Sequence, residues 1–206
     1  GSSEINEEQI IILLNSRGLE FERVCEFANK LRKKVSGEEV TYAVNRNINY
    51  TNVCYFRCGF CAFSKGKMSE NLRGKPYNLE LDEIVSRARE AWDRGASEVC
   101  LQGGIHPSYT GETYLQICKA IHEAVPRIHI HAFSPLEVSQ GASSLGLSVP
   151  EFLEKLRDSG LGTLPGTAAE VLDDEVRNII CPDKLSTQEW LSVMRDAHEV
   201  GFRTTA

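Results

Sequence analysis

The sequence predicts an α/β protein: part of a (β/α) TIM-type barrel, truncated after about four βα units and preceded by a helical segment. Three observations predict this class. Short strand-like segments alternate with amphipathic helices four times, the connections are short, and a polar or glycine-rich group follows successive strands. Such alternation is typical of parallel βαβ units.

The individual elements follow from the periodicity of the apolar residues. Residues 5–35 have helical spacing with an interruption at Gly18. We expect an N-terminal tag remnant and helical segment over residues 1–39 and a core over residues 40–206. The expected strands are 47–53, 98–102, 128–133, 161–164 and 202–206, and the expected helices of the core are 81–94, 112–124, 148–160, 171–180 and 186–201.

The polar groups at the strand ends favour a barrel over an open wound sheet, because barrel enzymes place their chemistry at the carboxyl ends of the strands. Four units and a fragment that begins at Phe202 cannot close a barrel of six or eight strands. We therefore expect a piece of a longer protein, and an open sheet that ends at this point is the alternative. The groups that follow the strands are the cysteine cluster, Gln102-Gly103-Gly104, Ser134-Pro135 with Glu137, and Pro165-Gly166-Thr167.

Composition and charge exclude several classes of protein. The 206 residues, 41% of them apolar, suffice for one sizeable core and argue against disorder. A net charge of −6 predicts no nucleic-acid partner, and the longest apolar run, residues 10–14, is too short to cross a membrane. Gly1-Ser2-Ser3 is interpreted as a cloning remnant, not a signal peptide. Seven unevenly placed cysteines indicate a reducing compartment, the cytoplasm or, in a eukaryote, an organelle.

The chemistry concentrates in one cysteine motif that follows the first strand. Cys54, Cys58 and Cys61 have the spacing C-x3-C-x2-C, with Phe60 just before the third cysteine. Three thiolates on a 4Fe-4S cluster leave one iron open to an outside ligand. The alternative is a structural zinc site, which needs a fourth ligand. That ligand would have to come from a distant residue: Cys100, His106, His129 or His131.

The motif and its place in the βα array resemble the radical S-adenosylmethionine (SAM) superfamily. A narrower resemblance, to the second subunit or C-terminal half of FO synthase, covers nearly all of residues 40–206. The segments that carry it are NINYTNVCYFRCGFCAFS (47–64), QGGIHP (102–107), HIHAFSPLEV (129–138), GTLPGTAAEVLD (162–173) and ICPDK (180–184).

This resemblance implies a transferase that joins the 4-hydroxybenzyl group of L-tyrosine to 5-amino-6-(D-ribitylamino)uracil in deazaflavin biosynthesis. The implied cofactors are a 4Fe-4S cluster and SAM, and the implied partners are the other FO synthase subunit or domain and an electron donor. A futalosine-pathway radical SAM enzyme is one alternative, and a zinc-stabilised or electron-transfer module is another.

The same resemblance assigns roles to particular residues. It makes Cys54, Cys58 and Cys61 the cluster ligands. It makes His106 and His131 candidates for substrate contacts, although a pair of core histidines is the competing interpretation of His129 and His131. We expect Arg57 to stabilise an anionic cluster or face solvent, and residues 65–75 to form a solvated basic loop. The candidate cofactor-binding residues are Phe60, Gln102, Gly103, Gly104, Glu137 and Glu170. The alternatives are a helix-cap or surface role for the two glutamates and an ordinary βα turn, capped by Gln102, for the two glycines.

Overall fold

A computed structural model of the chain describes residues 5–56, 58–64 and 75–205. Three of the features expected above lie outside these ranges: the remnant at residues 1–3, Arg57, and the basic loop up to residue 74. The chain divides into two compact units, one ending at Tyr42 and the other beginning at Ala43. Of the helices in the described ranges, none combines the length and the hydropathy that crossing a bilayer requires.

The first unit contains two helices, α1 (Glu7–Asn15) and α2 (Leu19–Ser36). Asn6 caps α1 by accepting a hydrogen bond from the backbone of Gln9, whose side chain in turn accepts one from the Asn6 backbone. Gly18 separates the helices with a φ of 57°, which glycine adopts at little cost. The helical segment and its interruption therefore match the pattern in the sequence.

The second unit is a five-stranded parallel sheet with the strand order β1-β2-β3-β4-β5. A helix or a pair of helices lies in each of the four connections between successive strands. The elements are β1 (Asn45–Asn49), α3 (Leu81–Asp93), β2 (Glu98–Gln102), α4 (Gly111–Ala124), β3 (His129–Ala132), α5 (Pro135–Ser144), α6 (Val149–Asp158), β4 (Thr163–Pro165), α7 (Asp174–Ile180), α8 (Thr187–Val200) and β5 (Arg203–Thr205).

The two faces of this sheet differ. One face is buried in a core that also contains the inner faces of the helices, among them Tyr114 and Phe152. The strand residues on this buried face are Ile48, Val99, Leu101, Ile130, Ala132 and Leu164. The alternate residues form a second face that is half-buried or exposed, and we call it the polar face: Asn47, Cys100, Gln102, His129, His131, Thr163 and Thr205.

This arrangement is that of a barrel wall. In a doubly wound open sheet the strand order reverses at a switch point and helices cover both faces, whereas here the order is sequential. The preference for a (β/α) barrel over an open wound sheet is therefore confirmed.

Helix α5 is the one element of the described core that the sequence pattern did not lead us to expect. Ser134 accepts a hydrogen bond from the backbone of Glu137, whose side chain accepts one from the Ser134 backbone, and Pro135 occupies the first turn. The sequence Ser-Pro-Leu-Glu thus has the same capping pattern as the predicted start of α6. The sequence does contain a signal for α5, although the interpretation of this segment above is a polar group after a strand, with a helix cap as an alternative role of Glu137 and no helix predicted.

Three capping boxes of the form S-x-x-E provide a test of how burial changes one local motif. Burial raises the pKa of Glu137 at the start of α5. Hydrogen bonds from Ser148 lower the pKa of exposed Glu151, and the backbone and side chain of Ser186 lower the pKa of Glu189. We expect carboxyl ¹³C titration by NMR to give Glu137 a pKa above the ordinary glutamate value and the other two pKa values below it.

The pH dependence of stability follows with opposite signs. The contribution of Glu137 is present below its unfolded-state pKa and is lost as pH rises through its raised folded-state pKa. The contribution of Glu151 is present above its unfolded-state pKa and is lost as pH falls through its lowered one. Comparing the free energies of unfolding of Glu137→Gln and Glu151→Gln with that of the parent across pH checks both signs; the same sign for both would contradict the assignment.

Candidate functional site

A cavity lies at the carboxyl ends of the strands, where the loops after β1, β2, β3 and β4 meet. It contains all three predicted ligands and all six predicted cofactor-binding residues. Its lining consists of Cys54, Phe56, Cys58, Phe60, Cys61, Phe63, Ser64, Gln102, Gly103, Gly104, Ile105, Ser134, Leu136, Glu137, Thr167, Ala168, Glu170 and Lys184. Residues that are far apart in the sequence therefore share one site.

The loop that carries the cysteines is tied closed near its two ends. Buried Asn52 accepts a hydrogen bond from the backbone of Tyr77 at 2.7 Å and donates one to the carbonyl of Lys75 at 3.2 Å. Thr51 donates from Oγ1 to the carbonyl of Tyr77 at 2.8 Å. These bonds close the long excursion between β1 and α3, so that its first residues extend the strand in a fixed direction.

The first two cysteines lie in apolar surroundings. A small cluster of buried side chains, Phe56, Ile105 and Leu136, packs against the partly buried Cys54 and Cys58. Burial raises the pKa of the Cys58 thiol, and nearby Lys184 opposes that shift. Such a shell limits the access of water to whatever the thiols bind. In the described ranges, no three His, Cys, Asp or Glu side chains are gathered closely enough to hold a single metal ion.

The Gly103-Gly104 turn packs directly against the start of the cysteine loop. A Cβ at Gly104 would lie 2.3 Å from the carbonyl oxygen of Val53 and 2.8 Å from the Cβ of Cys54. A Cβ at Gly103 would lie 2.2 Å from the ring of Tyr50. Both glycines are thus required by packing, and their absent side chains also leave backbone exposed to the cavity.

Tyr50 and Glu137 form a buried hydrogen bond behind the cavity. Tyr50 is fully buried and donates its hydroxyl to Oε1 of Glu137, which is 3% exposed. The backbone and hydroxyl of Ser134 each donate to Oε2 of Glu137 at 2.7 Å. Both carboxyl oxygens therefore have donors within the protein, and the pair connects the end of β1 to the start of α5.

The loop after β4 is held by cations from the segment that follows it. Arg177 is 3% exposed and donates to the carbonyls of Ala169, Val171 and Leu185. Lys184 donates to Oε1 of Glu170 at 2.8 Å. These contacts hold a loop in which Ala168 and Glu170 have φ values of 64° and 47°, a region that costs a non-glycine residue energy and is enriched at functional sites.

Lys184 also contacts the cysteine loop. Its side chain is 12% exposed, and its Nζ lies 5.3 Å from the centre of the Phe60 ring. Phe60 itself is half exposed at the rim of the cavity. Lys184 therefore links the loop after β1 to the loop after β4 and brings a positive charge to the cavity wall.

The two candidate substrate histidines lie apart from the cavity lining. His106 is beyond the glycine turn, with its Nδ1 2.8 Å from Oγ of Ser108 and its ring beside Tyr109. His131 lies on the polar face of the sheet with His129, and both rings contact Thr163. His129 and His131 are half-buried and are not packed into the main core.

Four residues on which the site depends were not identified from the sequence: Tyr50, Asn52, Arg177 and Lys184. Three of them lie inside the segments that carry the family resemblance, but their roles depend on partners that are 14 to 87 positions away along the chain. No local pattern marks a tyrosine or an asparagine as the partner of a distant loop. Arg177 is the exception, since a lone arginine in a short helix between two loops is visible in the sequence.

Known proteins match this chain along nearly its whole length. The Radical SAM superfamily model matches residues 48–206. The chain is 45% identical over 204 residues to an FO synthase of Streptomyces coelicolor, covering 99% of this chain and 23% of that protein. It is 45% and 50% identical to the 5-amino-6-(D-ribitylamino)uracil–L-tyrosine 4-hydroxyphenyl transferases of Methanocaldococcus jannaschii and Methanococcoides burtonii. The match to the first of these covers 98% of this chain and 56% of the relative, and the match to the second covers 88% of this chain and 49% of the relative.

Solved structures share the fold at low sequence identity. Methylornithine synthase superposes with a TM-score of 0.70 and 19% identity, covering 98% of this chain and 55% of that one. The FeFe-hydrogenase maturase HydG from Carboxydothermus hydrogenoformans has a TM-score of 0.65 and 20% identity, covering 93% and 41%. The present chain thus spans about half the length, or less, of each of these relatives and structural neighbours.

We expect Tyr50→Phe to destabilise the fold by about 1–3 kcal/mol, because it leaves Oε1 of Glu137 buried without its donor. Chemical denaturation measures the change. Tyr55→Phe is the matched control: its hydroxyl donates to Gln140 at 2.9 Å, but the residue is 48% exposed. The control should change stability by less than about 0.5 kcal/mol. Equal effects of the two substitutions would contradict the role of the buried bond.

We expect Gly104→Ala to displace the cysteine loop, because the new Cβ would overlap backbone atoms of that loop. The iron bound per chain after anaerobic reconstitution should fall. Gly59→Ala is the matched control inside the cysteine motif, where the nearest atom to a new Cβ is the carbonyl oxygen of Ile180 at an ordinary 3.7 Å. Full iron loading of Gly104→Ala, or equal losses in both variants, would show that the close contact does not position the cysteines.

Proposed function

The chain belongs to the radical SAM superfamily, and on that premise we propose that it is part of a transferase that joins the 4-hydroxybenzyl group of L-tyrosine to 5-amino-6-(D-ribitylamino)uracil. The observation that carries the proposal is a cavity lined by all three cysteines of the C-x3-C-x2-C motif, in a chain 45–50% identical to FO synthase and to 4-hydroxyphenyl transferases. Enzymes of this superfamily use a 4Fe-4S cluster and SAM.

The donor set fits such a cluster. Three thiols come from one loop and line one cavity, two of them against a shell of apolar side chains. Thiolates are the ligands that iron–sulfur clusters use, and three of them leave one iron of a cubane without a protein ligand. We therefore assign Cys54, Cys58 and Cys61 as the ligands. When bound, a reduced cluster supplies the electron that cleaves SAM to a radical able to remove a hydrogen atom from a substrate.

The other residues that line the cavity bind and orient SAM in this proposal. The backbone of Gly103 and Gly104, the side chain of Gln102 and the ring of Phe60 face the cavity and supply contacts for SAM. Glu170 is held toward the cavity by Lys184, and its carboxylate can accept hydrogen bonds from hydroxyl or amino groups. Because both oxygens of Glu137 already have donors, we assign Glu137 chiefly to fixing the cavity wall.

The substrates and partners are part of the same proposal. Tyrosine and the aminouracil would lie beyond the cavity over the polar face, with His131 and His106 as candidate contacts. A second FO synthase subunit or domain, an electron donor and a cytoplasmic location complete it. Superfamily membership does not support the zinc or electron-transfer alternative. Nothing favours the futalosine alternative, since the curated relatives named above are FO synthase and the tyrosine transferases.

The test uses the full-length enzyme that contains this chain, reconstituted anaerobically with iron and sulfide and supplied with SAM and a reductant. We expect a product from tyrosine plus 5-amino-6-(D-ribitylamino)uracil, detected by mass spectrometry, and none from futalosine derivatives. Turnover of the futalosine substrates alone would overturn the assignment.

Two cysteine variants serve as a matched pair for the cluster. Cys58→Ala should lose the cluster and all activity. Cys181→Ala should keep the cluster, although Cys181 is buried next to Ile180, whose carbonyl accepts a hydrogen bond from Gly59 at 2.8 Å. If Cys181→Ala lost the cluster while the Cys58 variant kept it, Cys181 and not Cys58 would be the ligand.

A further inference from the structure

A chain of hydrogen-bonding side chains crosses the polar face of the sheet, outside the cysteine-lined cavity. In the strand register, Glu98 of β2 lies beside His129 of β3, and Cys100 lies beside His131. His131 in turn pairs with Thr163 of β4. The sheet therefore brings the hydroxyl of Thr163 to two imidazoles that lie 34 and 32 positions away in the sequence.

The hydroxyl of Thr163 bridges the two histidines. Its Oγ1 lies 2.7 Å from Nε2 of His129 and 2.7 Å from Nδ1 of His131. A hydroxyl has one proton, so it donates to one ring while it accepts from the other. The protonation of the two facing nitrogens is therefore linked: when one nitrogen carries a hydrogen, the other must be free.

The two ends of this hydrogen-bonded series, His131 and His129, differ in their surroundings. At one end, the contact that the described residues offer to Nε2 of His131 is a long one, 3.4 Å to Oγ1 of Thr205, which leaves that nitrogen open to a ligand on the polar face. At the other end, the side chain of His129 is 41% exposed, and its Nε2 lies 3.9 Å from a carboxylate oxygen of Glu98. A proton that reaches His129 thus meets a negative charge and solvent.

The residue before Thr163 makes room for this arrangement. A Cβ at Gly162 would lie 2.3 Å from Cε1 and 2.6 Å from Nδ1 of His129. No side chain fits at this position while the ring of His129 contacts Thr163. The bridged pair therefore depends on a specific glycine just before β4, as well as on three hydrogen-bonding residues.

The electrostatic environment favours a neutral His131. Burial lowers its pKa, the charge of His129 lowers it further, and Glu98 opposes both. The other titratable or charged side chains that neighbouring strands place near it are Cys100 on β2 and Arg203 on β5, the latter paired with Thr163. A neutral imidazole with a free Nε2 is a base at physiological pH.

We propose that His131, Thr163 and His129 form a proton relay that takes a proton from an acidic O–H or N–H group of a substrate bound on the polar face. The proposal rests on the proposed function, whose substrates are a phenol and an aminouracil. The substrate proton moves to Nε2 of His131, the Nδ1 proton of His131 moves to Oγ1 of Thr163, and the Thr163 proton moves to Nε2 of His129. His131 ends neutral, His129 ends as an imidazolium beside Glu98, and no electrons change place.

The relay has a signature that does not depend on turnover. In the full-length enzyme, ring ¹⁵N shifts of the two histidines should report the same tautomer for both, with a coupled titration. Thr163→Val should make the rings titrate independently, and Thr163→Ser should restore the coupling. Independent titrations in the parent, or coupling that survives in Thr163→Val, would overturn the relay.

Kinetics on the reconstituted enzyme supply the second readout. Thr163→Val should lower kcat by about 10²-fold, the lower range for general acid–base catalysis, and shift the acid limb of its pH profile, because His131 then titrates without its coupled partner. Gly162→Ala should act similarly by displacing His129. Thr204→Val is the matched control: its hydroxyl contacts Nε2 of His198 at 2.8 Å, and Thr204 pairs in register with Leu164 of the buried face, so this variant should keep both kcat and the limb. SAM cleavage should continue in every variant. A Thr163→Val enzyme with parental kcat and pH profile would contradict the relay.

The two proposals fail in different ways. If the parent enzyme makes no product from tyrosine and the aminouracil, the proposed function fails, and the histidine titrations alone decide the relay. If the parent makes product while Thr163→Val matches it in kcat, pH profile and titration, the relay fails and the proposed function stands.

Discussion

The hydrogen bond between Tyr50 and Glu137 is the constraint on which the site depends. A buried carboxyl group is tolerated only when its oxygens have donors, and here Tyr50 and Ser134 supply them. The Tyr50 ring also occupies the space that a side chain at Gly103 would need. One tyrosine therefore fixes the end of β1, the turn after β2 and the start of α5 relative to one another. The cysteine loop begins shortly after Tyr50, so the contact of Tyr50 with Glu137 also fixes the direction in which this loop leaves β1.

The cavity is assembled from loops that are held by contacts with other segments of the chain. The cysteine loop is closed by Asn52, and the loop after β4 is held by Arg177 from the helix that follows it. Lys184 connects the two loops by contacting Phe60 and Glu170. The residues that line the cavity come from the connections after four successive strands.

The two faces of the sheet have different roles. Its buried face packs against the helices and stabilises the fold, whereas its polar face presents histidine, threonine and cysteine side chains. Barrel interiors are usually filled by branched apolar residues, so a polar interior face indicates a surface that binds a polar molecule. The proton relay proposed for that face places acid–base chemistry beside the radical chemistry expected at the strand ends.

Local sequence patterns determined the cysteine motif, the alternation of strands and helices, the capping boxes of α6 and α8, and the glycine turn after β2. All of these depend on residues within a few positions of one another. The tertiary structure alone decided which of three identical S-x-x-E boxes would be buried, which side chain would close the cysteine loop, and that two histidines would share one hydroxyl. Burial and hydrogen-bond partners across the sheet depend on strand register and on contacts between distant segments. A local pattern contains no information about either, which is why Glu137 resembled Glu151 and Glu189 in the sequence and differs from both in the fold.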